Sequence, residues 1–410
     1  MIRKVGIILA VAAAIRVFFI LATPATWVAE TAGLQAHNDE PSHINYVKYL
    51  VKNQSLPVQV HHVQEQDALI VNEFEYYQPP LAYIFCASFS VLVHVNPASS
   101  FFVPLCRIFN LILGLLSIVL FYQILIAAGC RMAVFYTLLF SLMPIHIRHS
   151  ASFGNDMLAW VFCLLVFYTV IRRIAGIQNF EPLRNDHPNR GMLWEGILID
   201  LAVLSKSSLF SLIVLYGIVG LFQHSSRKQW LFPAFIGFLI SAPYFIRNWL
   251  LYRELVGMEL SCGPPLSGLS AMTPYAWFHF FRGLLVHFAF PYDTLPIPFL
   301  LKAPAYLFWA IMFIIAGFIL LKRTGKALFT SKLSLEKTLG LFFCIVFSSM
   351  IFYNWHYVQT ESRLVFHGLM ALMVLFSVRF DQISHRMQWI LTGGALYPLV
   401  LMLVFSVIIP

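Results

Sequence analysis

The chain has 410 residues, 60% of them hydrophobic and only 11% charged, with a mean hydropathy of +0.77. A soluble domain of this size needs more polar surface, which leaves a polytopic membrane protein with room for roughly ten to thirteen spans at about 20 residues each. The net charge of +9 sits in basic clusters between apolar runs, a positive-inside pattern that needs no nucleic-acid partner.

The first apolar run, residues 5–21, follows Arg3 and Lys4 and shows no Ala-x-Ala cleavage pattern before Pro24. It reads as a retained first span with the N-terminus inside. Residues 24–80 then form a first outer loop, which carries AHNDEPSHINYVKYL at 36–50. Pro41 fits the first position of a helix, with Asn38, Asp39 or Glu40 as its cap. Ile44, Val47, Leu50 and Val51 mark one apolar face. Asp39 and His43 are four apart and Glu40 and His43 three apart, so all three can converge on one spot. The same pattern also suits a plain surface helix with an acidic cap. At the end of the loop, NEFEYYQPPLAY places Glu75 and Gln78 just before the next apolar run.

Further apolar runs lie at about 81–95, 101–127, 133–147, 157–171, 193–204, 208–222, 230–245, 303–321, 339–352, 364–378 and 389–409. The basic linkers 172–190, 227–229, 322–337 and 379–386 belong inside. Working back from Arg172, the turn 148–156 is outer and Arg131 inner. The three runs between 81 and 147 then cannot all span, and the short one after Pro79-Pro80 is expected to lie in the interface or re-enter. The runs flanking Lys206 are short and read as a hairpin with Lys206 near its outer turn. Residues 247–302 are a second outer loop opening on Arg247, and 354–363 a third, with His356, Glu361 and Arg363. The expected fold is all-α, with about eleven transmembrane helices and one interfacial or re-entrant segment, in one domain over 1–410. Five of the six cysteines lie in or beside apolar runs and Cys262 in a polar loop, so neither a disulfide framework nor paired Cys metal ligands are expected.

This topology gathers the polar residues on one side. Each charge alone would snorkel or cap. Together they suit a ligand with a phosphate and a hydroxyl or amine acceptor. Asp39 and Glu40 are the candidate catalytic carboxylates, one of which takes a proton from the acceptor. A divalent metal held among Asp39, Glu40, His43 and His356 could share that work and is the one cofactor the pattern admits. Substrate-binding candidates are His43, Glu75, Gln78, Arg148, Asn155, Asp156, Lys206, Arg247 and Arg363, the cations to neutralise a departing phosphate. Apolar walls would hold a lipid tail.

Six segments carry a resemblance: NDEPSHINYVKYL, EYYQPPLAY, FGNDMLAW, LSKSSL, RNWLLYRELVG and ESRLVFHGLMAL, running in order from Asn38 to Leu372. The ordered set resembles the GT-C type, lipid-linked glycosyltransferases, in particular their protein O-mannosyltransferase and aminoarabinose-transferase-like branch. The resemblance implies a multi-pass enzyme of the plasma (inner) membrane. It would move a sugar from a polyprenyl-phosphate donor to a lipid, glycan or protein acceptor on the non-cytoplasmic face. It assigns the base to Asp39, with Glu40 beside it, and gives the family's Asn-Asp turn to Asn155 and Asp156 and its lysine to Lys206. Two departures stand out. Glu361-Ser362-Arg363-Leu364 replaces a Gly-Arg-Tyr type motif, and the chain lacks the soluble C-terminal domain or extra spans of many members. An inverting single displacement is favoured, because a phosphate leaving group needs no protonation. The rival reading is a transporter or flippase of a lipid-linked or anionic solute. Such proteins place charges near the midplane in broken helices and repeat their halves. Here the charges sit at span ends and no half-repeat is evident. The intact Asp39-Glu40 pair argues against a silent relative. Reporter fusions test the arrangement: fusions after Gln78 or Gly263 should report the non-cytoplasmic side, and fusions after Asn185 or Gly325 the cytoplasmic side. A cytoplasmic signal at Gly263 would put Lys206 and Arg247 on the wrong face.

Overall fold

A computed structural model describes residues 2–24, 39–60, 75–175, 188–223, 227–256, 273–291, 295–327, 334–355 and 361–408. His356, Asn38, Cys262 and the fusion sites Gly263 and Asn185 lie outside them. Every regular element among the described residues is helical. In chain order these are α1 (Ile2–Ala22), α2 (Glu40–Asn53), α3 (Leu81–Leu92), α4 (Phe102–Ala127), α5 (Ala133–Ser141), α6 (Pro144–Ala151), α7 (Asp156–Ala175) and α8 (Pro188–Ser205). There follow α9 (Phe210–Phe222), α10 (Arg227–Tyr252), α11 (Pro274–Ala289), α12 (Phe299–Ala327), α13 (Leu335–Asn354), α14 (Phe366–Arg379) and α15 (His385–Ile408). Short 3₁₀ turns lead into α9 and α14.

Among the described residues, seven helices are long and apolar enough to cross a membrane: α1, α4, α7, α10, α13, α14 with its leading turn, and α15. The 12 residues of α3 reach only about 18 Å at 1.5 Å per residue, short of the ~30 Å hydrocarbon core. The run 133–147, expected to be one span, breaks in two. Met143 is extended, and Pro144 has no N–H to continue the ladder, so α5 stops and α6 restarts. The second outer loop is also more ordered than expected. Arg247 lies inside α10, and Pro274–Ala289 forms a helix.

Small residues bring α8 and α10 together: a Cβ on Gly196 would stand 2.6 Å from Ile236 Cβ, and one on Gly237 2.8 Å from Ile199 Cγ2. Such close approach suits packing where lipid gives no hydrophobic drive. Two fully buried arginines fasten the first half of the chain. Arg16 of α1 donates to Ser150 Oγ at 2.6 Å, Ser141 O at 3.0 Å and His146 Nδ1 at 2.7 Å. His146 therefore carries its proton on Nε2 and donates it to Ser117 Oγ at 2.7 Å. That chain pins the α5–α6 break to α1 and α4. Arg107 of α4 donates to both Glu40 oxygens, at 3.0 and 2.6 Å, and to the carbonyls of Ile20, Thr23 and Pro24. One side chain thus ties the end of α1 to the start of α2.

Candidate active site

The helix over the acidic motif starts where the sequence places it, with Pro41 in its first turn. Asp39 is the N-cap by position, but its side chain makes no capping bond. The carboxylate turns instead to Arg363, whose Nη2 donates to Oδ2 at 2.5 Å. One turn on, His43 Nδ1 and Tyr83 hydroxyl are hydrogen-bonded at 2.8 Å. The apolar face packs as expected: Ile44 and Val47 are buried with Tyr46, Tyr76, Tyr83 and Phe153, and Leu50 and Val51 flank them. Tyr46 stacks on Tyr83 with centroids 4.0 Å apart.

Three more segments meet this helix. The turn carrying Glu75 and Gln78 is held by α10, where Tyr244 and Asn248 both donate to Tyr77 O. Asn110 of α4 donates to the carbonyls of His149, Ser152 and Gly154, which fixes the loop before α7. Asp156 then opens α7, where the positive end of the helix dipole favours a carboxylate. Lys206 interrupts the helix between α8 and α9 in an extended conformation. Its Nζ reaches Asp156 Oδ1 at 2.5 Å. Arg363 pairs with Glu361 and lies 3.8 Å from Asp156 Oδ2.

Around these groups opens a cavity of about 310 Å³. Of the residues the sequence singled out, Asp39, His43, Glu75, Gln78, Asn155, Lys206 and Arg363 are brought together to line it. Asp156 sits behind Lys206, buried. Tyr77, Ser207, Ser208 and His367 add polar lining, and Val346, Met350, Tyr353 and Leu364 form an apolar wall. The sequence reading gave none of these a role, although Tyr77, Ser207, Ser208, Leu364 and His367 fall within segments it quoted. The signal was present: His367 follows Arg363 by four residues, and 346, 350 and 353 share one face of α13.

Four expectations need correction. Glu40 is not in the cavity. It is turned away into the core, where Arg107 and the Phe153 N–H, at 2.6 Å, take its oxygens. Residues 39 and 40 lie on either side of residue 43 around the helix, and residue 40 takes the side that faces Arg107 of α4. Arg148 donates to Pro291 O, and Arg247 to Pro57 O at 2.6 Å, so neither faces the cavity. Lys206, read as a cation awaiting an anion, already has Asp156. The predicted ligand His356 falls outside the described residues.

Glu75 takes the place the sequence gave Glu40 in a metal-binding set. Ligand atoms of Asp39, His43 and Glu75 all lie within 4.8 Å of one another. Two carboxylates and an imidazole suit a divalent ion that keeps positions open for other ligands. Glu75 Oε2 is buried with no hydrogen-bond partner among the described residues, which fits that role. Burial first, and the Asp39 carboxylate second, push the Glu75 carboxyl up to about 8. A raised acid favours the folded state while protonated, so its contribution is complete below the unfolded value of 4.5 and is lost as pH rises through about 8. In metal-free protein the melting temperature should therefore fall across that range, and Glu75→Gln should flatten the fall. Identical pH profiles for the two proteins would place Glu75 in water rather than in the core.

No protein-family model matches this sequence, and no curated protein matches it. Solved structures do. ArnT from Cupriavidus metallidurans, bound to undecaprenyl phosphate, superposes with a TM-score of 0.56 at 16% identity, over 98% of this chain and 63% of its own. The Archaeoglobus fulgidus oligosaccharyltransferase, tethered to an acceptor peptide, gives 0.55 at 14% identity, over 98% and 55%. The same archaeal enzyme with an inhibitory peptide and dolichol-phosphate gives 0.52 at 14%, over 98% and 56%. The chain thus spans less than two thirds of the length of each. What the likeness establishes is architecture: this chain is built on the GT-C fold.

Proposed function

We propose that the protein transfers a sugar from a polyprenyl-phosphate donor to an acceptor at the non-cytoplasmic face of the plasma (inner) membrane, with inversion. The observation that carries this reading is Asp39, a carboxylate held at the cavity edge by Arg363 beside the Lys206–Asp156 pair. An acceptor hydroxyl reaching the cavity gives its proton to Asp39 as its oxygen bonds the anomeric carbon. The bond from that carbon to the phosphate oxygen breaks on the opposite face, and polyprenyl phosphate departs. Arg363 and Lys206 are the cations that meet the charge on that phosphate. His43 and Glu75, with Asp39, would hold a divalent ion, whose charge would acidify an acceptor hydroxyl beside it. Val346, Met350 and Leu364 supply an apolar wall for the first prenyl units. The structural neighbours captured with undecaprenyl phosphate and dolichol-phosphate support a lipid-phosphate ligand of this kind.

Two substitutions test the assignment. Asp39→Asn keeps size and removes charge, so turnover should drop about 10²–10⁴-fold in a protein that still inserts and folds. Near-normal transfer by a folded Asp39→Asn protein would overturn the assignment. Lys206→Ala should raise the half-saturating donor concentration and slow transfer, while Lys206→Arg should recover part of the binding. Because Lys206→Ala strands a buried Asp156, its melting temperature must be read alongside the donor titration. A folded Lys206→Ala protein with unchanged kinetics would leave this lysine a purely structural partner of Asp156.

A further inference from the structure

One polar side chain of the cavity has no part yet in the transfer. His367 is 2% exposed and lines the cavity one helical turn further along α14 than Arg363. Its depth follows from its neighbour. Tyr353, Met350 and Val346 line the cavity on successive turns of α13, whereas Phe342, one turn beyond Val346, does not. His367 packs against that Phe342, with ring centroids 6.1 Å apart, and so forms part of the cavity floor. Gly368 sets this placement: a Cβ there would stand 3.1 Å from Val346 Cβ, so its absence lets α14 lie close against α13. Neither ring nitrogen of His367 is hydrogen-bonded among the described residues, and neither is sealed in the core. Ser208, in the turn after Lys206, lines the same cavity, and its buried Oγ likewise has no partner among the described residues. Buried polar groups in folded proteins are nearly always hydrogen-bonded, so an imidazole and a hydroxyl left over in one cavity point to a polar ligand.

We propose that His367, assisted by Ser208, hydrogen-bonds hydroxyl groups of the donor's sugar on the cavity floor and thereby sets which sugar is accepted. This rests on the transfer reading above. The other parts of such a donor are already matched: Arg363 and Lys206 are the cations for its phosphate, and a prenyl chain offers no polar atom. A phosphodiester oxygen only accepts hydrogen bonds. A neutral imidazole carries one donor and one acceptor, and a sugar hydroxyl can answer either of them. Ser208 adds a hydroxyl that also works both ways. A sugar with the matching hydroxyl missing or inverted leaves the ring unpaired in a buried site. That is a stronger means of discrimination than the fit of an apolar pocket.

The test is equilibrium binding to the full-length protein in nanodiscs. The probes are undecaprenyl phosphate and undecaprenyl-phosphate-linked glucose, galactose, mannose and arabinose. The native chain should bind at least one sugar-bearing lipid more tightly than the bare phosphate. His367→Ala should lose about 5- to 100-fold on that lipid and nothing on undecaprenyl phosphate. His367→Gln, which keeps a donor and an acceptor, should recover part of the loss. Ser208→Ala removes a single hydroxyl and should show a smaller loss with the same selectivity, which gives the readout even where a change at His367 disturbs the floor. Equal weakening of both lipids by His367→Ala and Ser208→Ala, with a lower melting temperature, would make the two residues structural. That result, or unchanged binding of the sugar-bearing lipid by both variants, overturns the sugar contact and leaves the proposed transfer reaction standing. A native chain that binds every sugar-bearing lipid no better than undecaprenyl phosphate removes the inference and counts against sugar transfer as well.

Discussion

The site depends on one guanidinium. Arg363 reaches Asp39 across 324 residues of chain, pairs with its neighbour Glu361, and stands 3.8 Å from Asp156. Lys206 then secures Asp156 from the other side. A cation this deep in an apolar protein is costly without counter-charge, and a carboxylate as buried as Asp156 is costly without a cation. Neither sign can be left alone, so the folded state is the arrangement in which all of them meet. Segments from the first loop, the start of α7, the α8–α9 break and the turn before α14 are thereby forced to one point.

A second tier of contacts keeps that point in register. Glu40 is adjacent to Asp39 in sequence and does the opposite job. Arg107 and the Phe153 N–H consume its oxygens, which sets the loop before Asp156 against the start of α2. Removing one partner of such a buried pair costs about 3–5 kcal/mol, because the other is left charged in the core. The Arg16–His146–Ser117 chain plays the equivalent part for α6, whose C-terminal end leads into that same loop. The catalytic reading of Glu40 and its structural role would look alike in an activity assay alone, and the geometry separates them.

Much of this was legible in the sequence, for identifiable reasons. The membrane class follows from the apolar runs, and the GT-C type fold was what the resemblance of an ordered set of polar segments implied. Asp39, His43, Glu75, Gln78, Asn155, Lys206 and Arg363 were recoverable because each stands out against an apolar background. What failed was direction. Spacing along α2 tells which residues can share a face, but not that residue 40 would find Arg107, an arginine hidden inside an apolar run. The same blindness hid the partners of Lys206, Arg148 and Arg247, since a lysine and an aspartate 50 residues apart leave no local trace. His367 received no role although its segment was quoted, and the α13 wall lies in a run whose hydropathy already explained it.

The sign of the cavity also constrains how a lipid phosphate could be accommodated. Asp39, Asp156 and Glu361 outnumber Lys206 and Arg363, and both cations already have carboxylate partners. Glu75, pushed up to about 8 by burial and by Asp39, adds little charge at neutral pH. As it rests, the site is therefore no simple trap for an anion, and a phosphate would have to compete for Arg363 with Asp39 and Glu361. Asp39, His43 and Glu75 would hold a divalent ion, whose charge would offset this excess, and Asp39 would then have a second partner besides Arg363. Competition for one arginine is thus a physical route by which, in the proposed reaction, Asp39 and the leaving phosphate could be kept from occupying the same partner at once.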